Sequence, residues 1–99
     1  MLQHIVAWKF KQDFSNEENL QNAQKIKSSL ENLKSLIKEI VEIKVFINPI
    51  ETSDKNVMLF STFKNQADLD IYQEHPEHLK VKSIVQQALY DRVCLDFFE

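Results

Sequence analysis

Four stretches of the chain predict β-strands, and in three of them hydrophobic and polar residues alternate with a period of two. The stretches are Leu2–Lys11, Ile40–Asn48, Val57–Phe63 and Tyr90–Phe98. The second is rich in β-branched residues, and the third is apolar on both faces. Because a polar loop with turn chemistry separates these two strands, we expect them to form a hairpin with a long connection.

Apolar residues at spacings of three and four predict a long helix between the first two strands. Ser15 and Glu18 match a capping box, so the helix begins there. Its apolar stripe runs from Leu20 to Ile37, and we expect the helix itself to end near residues 33–35.

A proline divides the helical region that follows the third strand. Pro76 fixes its own φ and keeps His75 out of helical conformations. One helix over Ala67–Glu74 therefore ends before the proline, and another begins at it. This break places Tyr72 on the last turn of the first helix and His78 on the first turn of the second.

The order of these elements predicts the fold class. Strand, helix, strand, strand, helix pair and strand is the order of the ferredoxin-like split βαβ arrangement. We therefore expect one α+β domain over residues 1–99, with a four-stranded antiparallel sheet and its helices on one face. Because the strands are apolar on both faces, the other face would be open in a monomer. We expect a homodimer packed sheet against sheet, which would bury about 1,500 Å² or more.

Composition narrows the class of protein. The net charge is −3 and the lysines have acidic neighbours, so we expect no nucleic-acid partner. No apolar stretch approaches the roughly 20 residues that span a bilayer, so we expect no membrane association. The single cysteine, Cys94, excludes an internal disulfide, favours the cytoplasm and is expected to be a buried small hydrophobic residue. The absence of glycine excludes Gly-rich phosphate loops and leaves tight turns to Asn and Asp.

The proline break makes His78 the leading candidate for chemistry. A half-buried imidazole can act as a neutral base near pH 7, taking a proton from a carbon next to a carbonyl and returning it to the developing alkoxide. Tyr72 could donate a hydrogen bond to that carbonyl and stabilise the enolate. A structural interpretation stays open for both residues: His78 could form a hydrogen bond to the backbone at the start of a helix, and Tyr72 could pack in the hydrophobic core.

The other histidines are expected to have structural roles. His4 lies with Val6 and Trp8 on the strand face that we expect to meet the helices, where a satisfied core histidine is the simplest interpretation. His75 is expected to cap a helix or form a turn. His75 and His78 could share a metal ion, but no Asp or Cys completes an evident ligand set, so we predict neither metal nor cofactor.

Three stretches of the chain together resemble the stress-responsive α/β-barrel proteins, the dimeric α+β-barrel (Dabb) family. They are residues 4–11, the segment Phe63–His78 with Tyr72 followed by His75-Pro76-x-His78, and the closing Leu95-Asp96-Phe97. The resemblance covers essentially the whole chain. It implies a dimeric α+β barrel, in a family whose members are mostly small proteins with no assigned activity.

One member of that family, olivetolic acid cyclase, is a plant polyketide cyclase. In it the residues matching Tyr72 and His78 act in an intramolecular aldol condensation, and the residue matching His4 lines the pocket. Its third strand also carries a pocket histidine where this chain has Val57. The resemblance thus implies catalytic roles for Tyr72 and His78. The residues expected to contact a ligand are His4, Val6, Trp8, Val57, Leu59 and Val81.

Three functions stay open. The first is binding of a small apolar or oxo-compound in a mostly apolar pocket between sheet and helices, with Tyr72 and His78 at its polar end. The second is a cofactor-free cyclase, lyase or isomerase that uses this pair for acid–base chemistry. The third, a haem- or quinone-handling monooxygenase, rests on fold analogy. A protein with a filled core that serves only as an interaction module is the remaining alternative.

Overall fold

A computed structural model describes residues 1–99 and contains a four-stranded antiparallel sheet with three helices on one face. The elements in chain order are β1 (Leu2–Phe10), α1 (Asn16–Leu36), β2 (Glu42–Ile47), β3 (Val57–Phe63), α2 (Gln66–Glu74), α3 (Pro76–Ala88) and β4 (Leu89–Phe98). The order of strands in the sheet is β2-β3-β1-β4. The predicted ferredoxin-like α+β fold is confirmed, and so is the β2–β3 hairpin.

The elements begin and end close to their predicted positions. At the start of α1, Ser15 Oγ accepts from the backbone N–H of Glu18, and the Glu18 carboxylate accepts from the N–H of Ser15. The helix runs to Leu36, beyond the predicted end near residues 33–35. It is longer because Ile37, its C-cap, still donates its N–H to the Leu33 carbonyl at 2.8 Å.

The core lies between the sheet and the helices. Twenty buried apolar residues form one cluster, and α1 contributes Ala23, Ile26, Leu30 and Leu33. Leu20, which we expected on this stripe, is 41% exposed. The reason is helical spacing: the inward face of α1 begins with buried Asn19, whose spacing to Ala23 and Ile26 is four and seven residues. No helix of the structure is both long and apolar enough to cross a membrane.

An ion pair on α1 binds the outward-facing backbone groups of Val45 at the free edge of β2. The outward-facing N–H of Val45 donates to the Glu31 carboxylate at 3.0 Å, and its carbonyl accepts from Lys27 Nζ at 2.7 Å. Lys27 also donates to Glu31 at 2.8 Å, one helical turn away. These contacts satisfy two backbone groups that an edge strand would otherwise offer to another chain.

The sheet face opposite the helices is apolar and exposed. It carries Phe46, Val93, Leu95 and Phe97, which are 40–58% exposed. β4 pairs with β1 at the second edge of the sheet, and nearly all of its residues are exposed on both faces. The helices thus cover β1 and β3 well but leave the helix side of β4 open.

Two residues of this glycine-free chain adopt left-handed backbone, one just after β2 and one within β4. Asn48 and Asp91 have φ values of 49° and 55°, and they are the only residues with positive φ. Short polar side chains tolerate this left-handed backbone better than other non-glycine residues do. Asn and Asp therefore occupy the left-handed positions, as expected for a chain without glycine. Only Asn48 lies in a connection between strands, whereas Asp91 lies in β4 beside the register shift in its pairing with β1.

Candidate functional site

The break between α2 and α3 is stabilised by His75 and Pro76. Pro76 occupies the first position of α3, where its missing N–H costs no hydrogen bond. His75 caps α3, because its Nδ1 accepts the backbone N–H of Glu77 at 3.1 Å, and its own N–H bonds to the Tyr72 carbonyl at 3.2 Å. His75 therefore has the capping role that we predicted.

This break also orients His78. In an uninterrupted helix the carbonyl of Gln73 would accept the N–H of Glu77, four residues on. That N–H is used by His75 instead, so the Gln73 carbonyl is free and lies 3.1 Å from Nδ1 of His78. A carbonyl only accepts, so Nδ1 carries the proton and Nε2 keeps an unshared electron pair. The backbone thereby selects the tautomer whose Nε2 can act as a base.

Tyr72 packs directly against the His78 ring. The two ring centroids are 4.4 Å apart with an angle of 45° between the planes. Tyr72 is completely buried, and its hydroxyl has no hydrogen-bond partner in the protein. Burial raises the pKa of this hydroxyl, against a smaller opposing effect of Arg92, so it is a neutral donor. A buried hydroxyl without a partner costs stability, which makes it a candidate for binding a ligand oxygen.

His4 approaches Tyr72 from the sheet. Its ring lies edge-on to that of Tyr72, with centroids 6.2 Å apart, and the residue is 3% exposed. Nδ1 of His4 donates to the carboxylate of Asp96, the residue opposite it on β4. His4 thus faces the helices as predicted and is satisfied by a hydrogen bond. Its Nε2, like that of His78, makes no hydrogen bond within the protein.

Cys94 is exposed, which corrects the prediction that it would be buried. The cause is its position on β4, the edge strand whose helix side no helix covers. Its Sγ lies 3.7 Å from Nδ1 of His4 and 3.6 Å from the Asp96 carboxylate. Partial burial and the charge of Asp96 raise the pKa of the thiol, so Cys94 is protonated and is not an activated nucleophile.

A cavity of about 400 Å³ lies between the sheet and the helices. This volume falls within the range of roughly 300–1,000 Å³ that small-molecule sites occupy. Its apolar wall includes Val6, Trp8 and Leu59, and its polar wall includes His4, Tyr72 and His78. The structure therefore brings together six of the eight residues that we predicted for the site.

Val57 and Val81 are the two predicted site residues that do not line the cavity. Both are buried in the core instead, at 0% and 7% exposure. Val57 pairs with Trp8 at the end of β3 that lies beside the β2–β3 loop. Val81 shares its face of α3 with Val85, and only Val85 reaches the cavity wall. Their predicted contact with a ligand is corrected to a packing role.

Sequence reasoning missed several polar residues of the cavity. They are Gln73, Lys82, Gln86 and Arg92. Arg92 stands on the same face of β4 as Cys94 and Asp96, and the alternation of β4 already indicated this. The alternation did not show the register of β4 against β1, which places Asp96 opposite His4 and Cys94 opposite Val6.

The electrostatics of the cavity keep His78 neutral. Burial lowers the pKa of His78, while the bond to the Gln73 carbonyl acts in the opposite direction. Positive charge at Lys82, His4 and Arg92 lowers the pKa further. The ring is half-buried and uncharged near neutral pH, in the predicted direction. An uncharged imidazole with a free Nε2 beside a neutral phenol can accept and donate protons in turn.

One group of side chains has the composition of a metal site. Nδ1 of His4, Sγ of Cys94 and the Asp96 carboxylate lie within 4.8 Å of one another. Nδ1 of His4 already donates to Asp96, and the thiol is protonated. His75 and His78, the pair considered from the sequence, both direct Nδ1 to the backbone. In this structure the Nδ1 atoms of all three histidines therefore already have hydrogen-bond partners within the protein.

The sequence was compared with models of known protein families. The model of the stress responsive A/B barrel domain (Dabb) matches residues 2–99. The chain belongs to the Dabb family. The resemblance seen in the sequence is therefore confirmed for the whole domain. A search among curated proteins found no significant match.

Solved structures with the same fold extend this comparison. A dimeric protein of unknown function from Bacteroides fragilis shares 32% identity with this Dabb domain, with a TM-score of 0.90 and coverage of 97% of this chain and 93% of the other. Hydroxynitrile lyase from Passiflora edulis shares 21% identity, with a TM-score of 0.80 over 97% and 90% of the two chains. An antibiotic biosynthesis monooxygenase shares 11% identity, with a TM-score of 0.71 over 100% and 98%. This chain is similar to the lyase and to the monooxygenase in fold.

Proposed function

We propose that this Dabb domain binds a small, mostly apolar oxo-compound in the cavity between sheet and helices. The observation that carries the proposal is that Tyr72 and His78 line the cavity side by side, with ring centroids 4.4 Å apart, and form its floor next to an apolar wall. A ligand carbonyl at this floor would give the unpartnered Tyr72 hydroxyl the acceptor that the protein does not supply. The remaining apolar wall would bury the hydrocarbon part of the ligand.

The same pair supports a second step, cofactor-free acid–base catalysis. Nε2 of His78 would take a proton from the carbon next to the ligand carbonyl, and the Tyr72 hydroxyl would donate a hydrogen bond to the enolate oxygen that forms. In a cyclisation, the enolate carbon would then bond to a second carbonyl carbon, and the imidazolium would return the proton to the resulting alkoxide. The specific support is the tautomer of His78, whose Nε2 is free because Nδ1 bonds to the Gln73 carbonyl.

Binding and catalysis can be separated in one set of measurements. Propiophenone and related aryl ketones would raise the melting temperature if they bind the folded state. Incorporation of deuterium next to the carbonyl in D₂O, followed by NMR, would report proton removal. We expect His78→Gln to lose exchange while keeping most of the thermal shift, and Tyr90→Phe, a change at the exposed tyrosine, to alter neither.

The two possible failures have different meanings. Binding without exchange by the natural sequence would reject the catalytic step and leave a binding module. Absence of any thermal shift across the panel would reject the cavity as a site for such ketones. The monooxygenase alternative draws only on likeness of fold, because the matching structure is 11% identical.

We further propose that the domain is a homodimer joined through the open sheet face. That face exposes 58% of Leu95 and 41% of Phe97, and such a contiguous apolar surface is uncommon on monomers. The Bacteroides fragilis relative, at 32% identity, is described as dimeric. Leu95→Lys should yield a monomer by light scattering, whereas Ile71→Lys, at an exposed apolar residue on α2, should not. A monomeric natural protein at micromolar concentration would reject this proposal.

A further inference from the structure

The cavity holds two positive charges that come from different elements of the fold. Lys82 lies on α3 and Arg92 on β4, and both line the cavity. Neither forms a salt bridge, although five other lysines of the chain do. No Asp or Glu is among the residues that line the cavity. Two unpaired cations at one cavity leave an anionic group as the missing partner.

The identity of the second cation indicates which anion. Arg92 is the only arginine in a chain that otherwise uses lysine, with 12 basic residues in total. A guanidinium group presents paired N–H donors that match the two oxygens of a carboxylate, whereas a lysine ammonium acts as a single charge. The protein is acidic overall, with a net charge of −3, so a local positive cluster is needed to hold an anion here.

The charges also act on the candidate catalytic pair. The positive charge of Arg92 disfavours protonation of His78 and favours ionisation of Tyr72, since it lowers the pKa of both groups. Lys82 lowers the pKa of His78 as well. Both cations line the same cavity of about 400 Å³ as the two rings, so one small molecule can reach the cations and the rings together.

We propose that the ligand is a carboxylate-bearing oxo-compound, held with its carboxylate at Arg92 and Lys82 and its carbonyl at Tyr72 and His78. The proposal rests on the proposed function, because it concerns the same cavity, and it adds the chemical class of the ligand. Arg92 and Lys82 are both exposed, so the carboxylate would lie at the mouth while the carbonyl end reaches the buried floor.

Occupancy would have a consequence for His78. A bound carboxylate would offset the two positive charges that disfavour protonation of the ring. The imidazole would then become a stronger base when an oxo-acid is present than when the cavity holds a neutral ketone. Deuterium exchange at the carbon next to the carbonyl should accordingly be faster for an acid than for its ester at equal occupancy.

The test compares acids with their methyl esters on the full-length protein. The probes are 4-oxo-4-phenylbutanoic acid and its homologues with one or two additional methylenes, each with its methyl ester. We expect the best acid to bind about tenfold or more tightly than its ester, as a charge-assisted pair predicts. Arg92→Gln should remove this preference and leave ester binding within about twofold. Lys80→Gln, at a lysine of α3 that pairs with Glu77 outside the cavity, should change neither.

Each outcome decides between the proposals. Equal binding of acid and ester by the natural sequence would reject the carboxylate assignment and leave the ketone-binding cavity intact. An acid preference that survives in Arg92→Gln and in Lys82→Gln would place the carboxylate elsewhere and reject the assigned contacts. If neither acid nor ester binds, the cavity itself fails as the site, and the proposed function falls together with this inference.

Discussion

The Tyr72 hydroxyl provides the sharpest test of whether the cavity exists for a ligand. Tyr72→Phe removes one oxygen from a residue that is completely buried and whose hydroxyl has no partner in the protein. The ring stays, and with it the contacts to His78, Phe63 and His4. A tyrosine retained only for packing would lose nothing by this change.

The expected effect on stability is a gain. An unpaired buried hydroxyl costs roughly 1–3 kcal/mol of folding free energy, and its removal recovers part of that cost. A gain of about 1 kcal/mol would raise the melting temperature of a domain of this size by about 4–8 °C. Binding of an oxo-compound should weaken in the same variant, because the ligand carbonyl loses its donor.

Urea unfolding and ligand-induced thermal shifts measure the two effects on the same samples. Tyr90→Phe is the matched control, since Tyr90 is 43% exposed and its hydroxyl reaches solvent; its stability should stay within about 0.5 kcal/mol. A loss of more than about 1 kcal/mol in Tyr72→Phe would show that the hydroxyl has a structural partner, and the functional argument for this residue would fail.

Three further variants test other parts of the structure. Burial lowers the pKa of His78 below its ordinary value of 6.5, so the contribution of the neutral ring to stability is complete above about pH 6.5 and declines as the pH falls. His78→Gln should reduce the loss of stability below about pH 6.5 in urea unfolding measured across pH. An unchanged dependence on pH would contradict the lowered pKa. Glu31→Ala should cost about 1–2 kcal/mol in urea unfolding, because it frees the backbone N–H of Val45, while Gln24→Ala on the exposed face of α1 sets the baseline. Asn48→Gly should stabilise the fold by up to about 1 kcal/mol on thermal unfolding, because φ is 49° there, and destabilisation would indicate that the Asn side chain is needed.

The sequence contained enough information for the fold but for only part of the site. Period-two and helical patterns located every element, and the proline at position 76 located the break that brings Tyr72 and His78 together. The periodic patterns and the proline are features of short stretches of sequence, so one sequence is enough to recognise them. The exposure of Leu20 was missed because it depends on which face of α1 meets the sheet, and the end of α1 was missed because the backbone hydrogen bond of Ile37 extends the helix past Ser35.

The missed site residues depend on contacts between distant segments. Arg92 enters the cavity because β4 pairs with β1, and Asp96 meets His4 for the same reason, 92 residues away along the chain. Cys94 was assigned to the core because its apolar character was visible, whereas the open helix side of an edge strand was not. Val57 and Val81 have the correct face but lie outside the cavity.

The orientation of His78 depends on a main-chain oxygen, which has a consequence for divergence within the family. Substitution at position 73 replaces a side chain and leaves the carbonyl that holds Nδ1 of His78 in place. Lining residues can therefore change, and with them the compounds admitted, without disturbing the proton position on the imidazole. A helix interruption of this kind would let many ligand specificities evolve around one unchanged base.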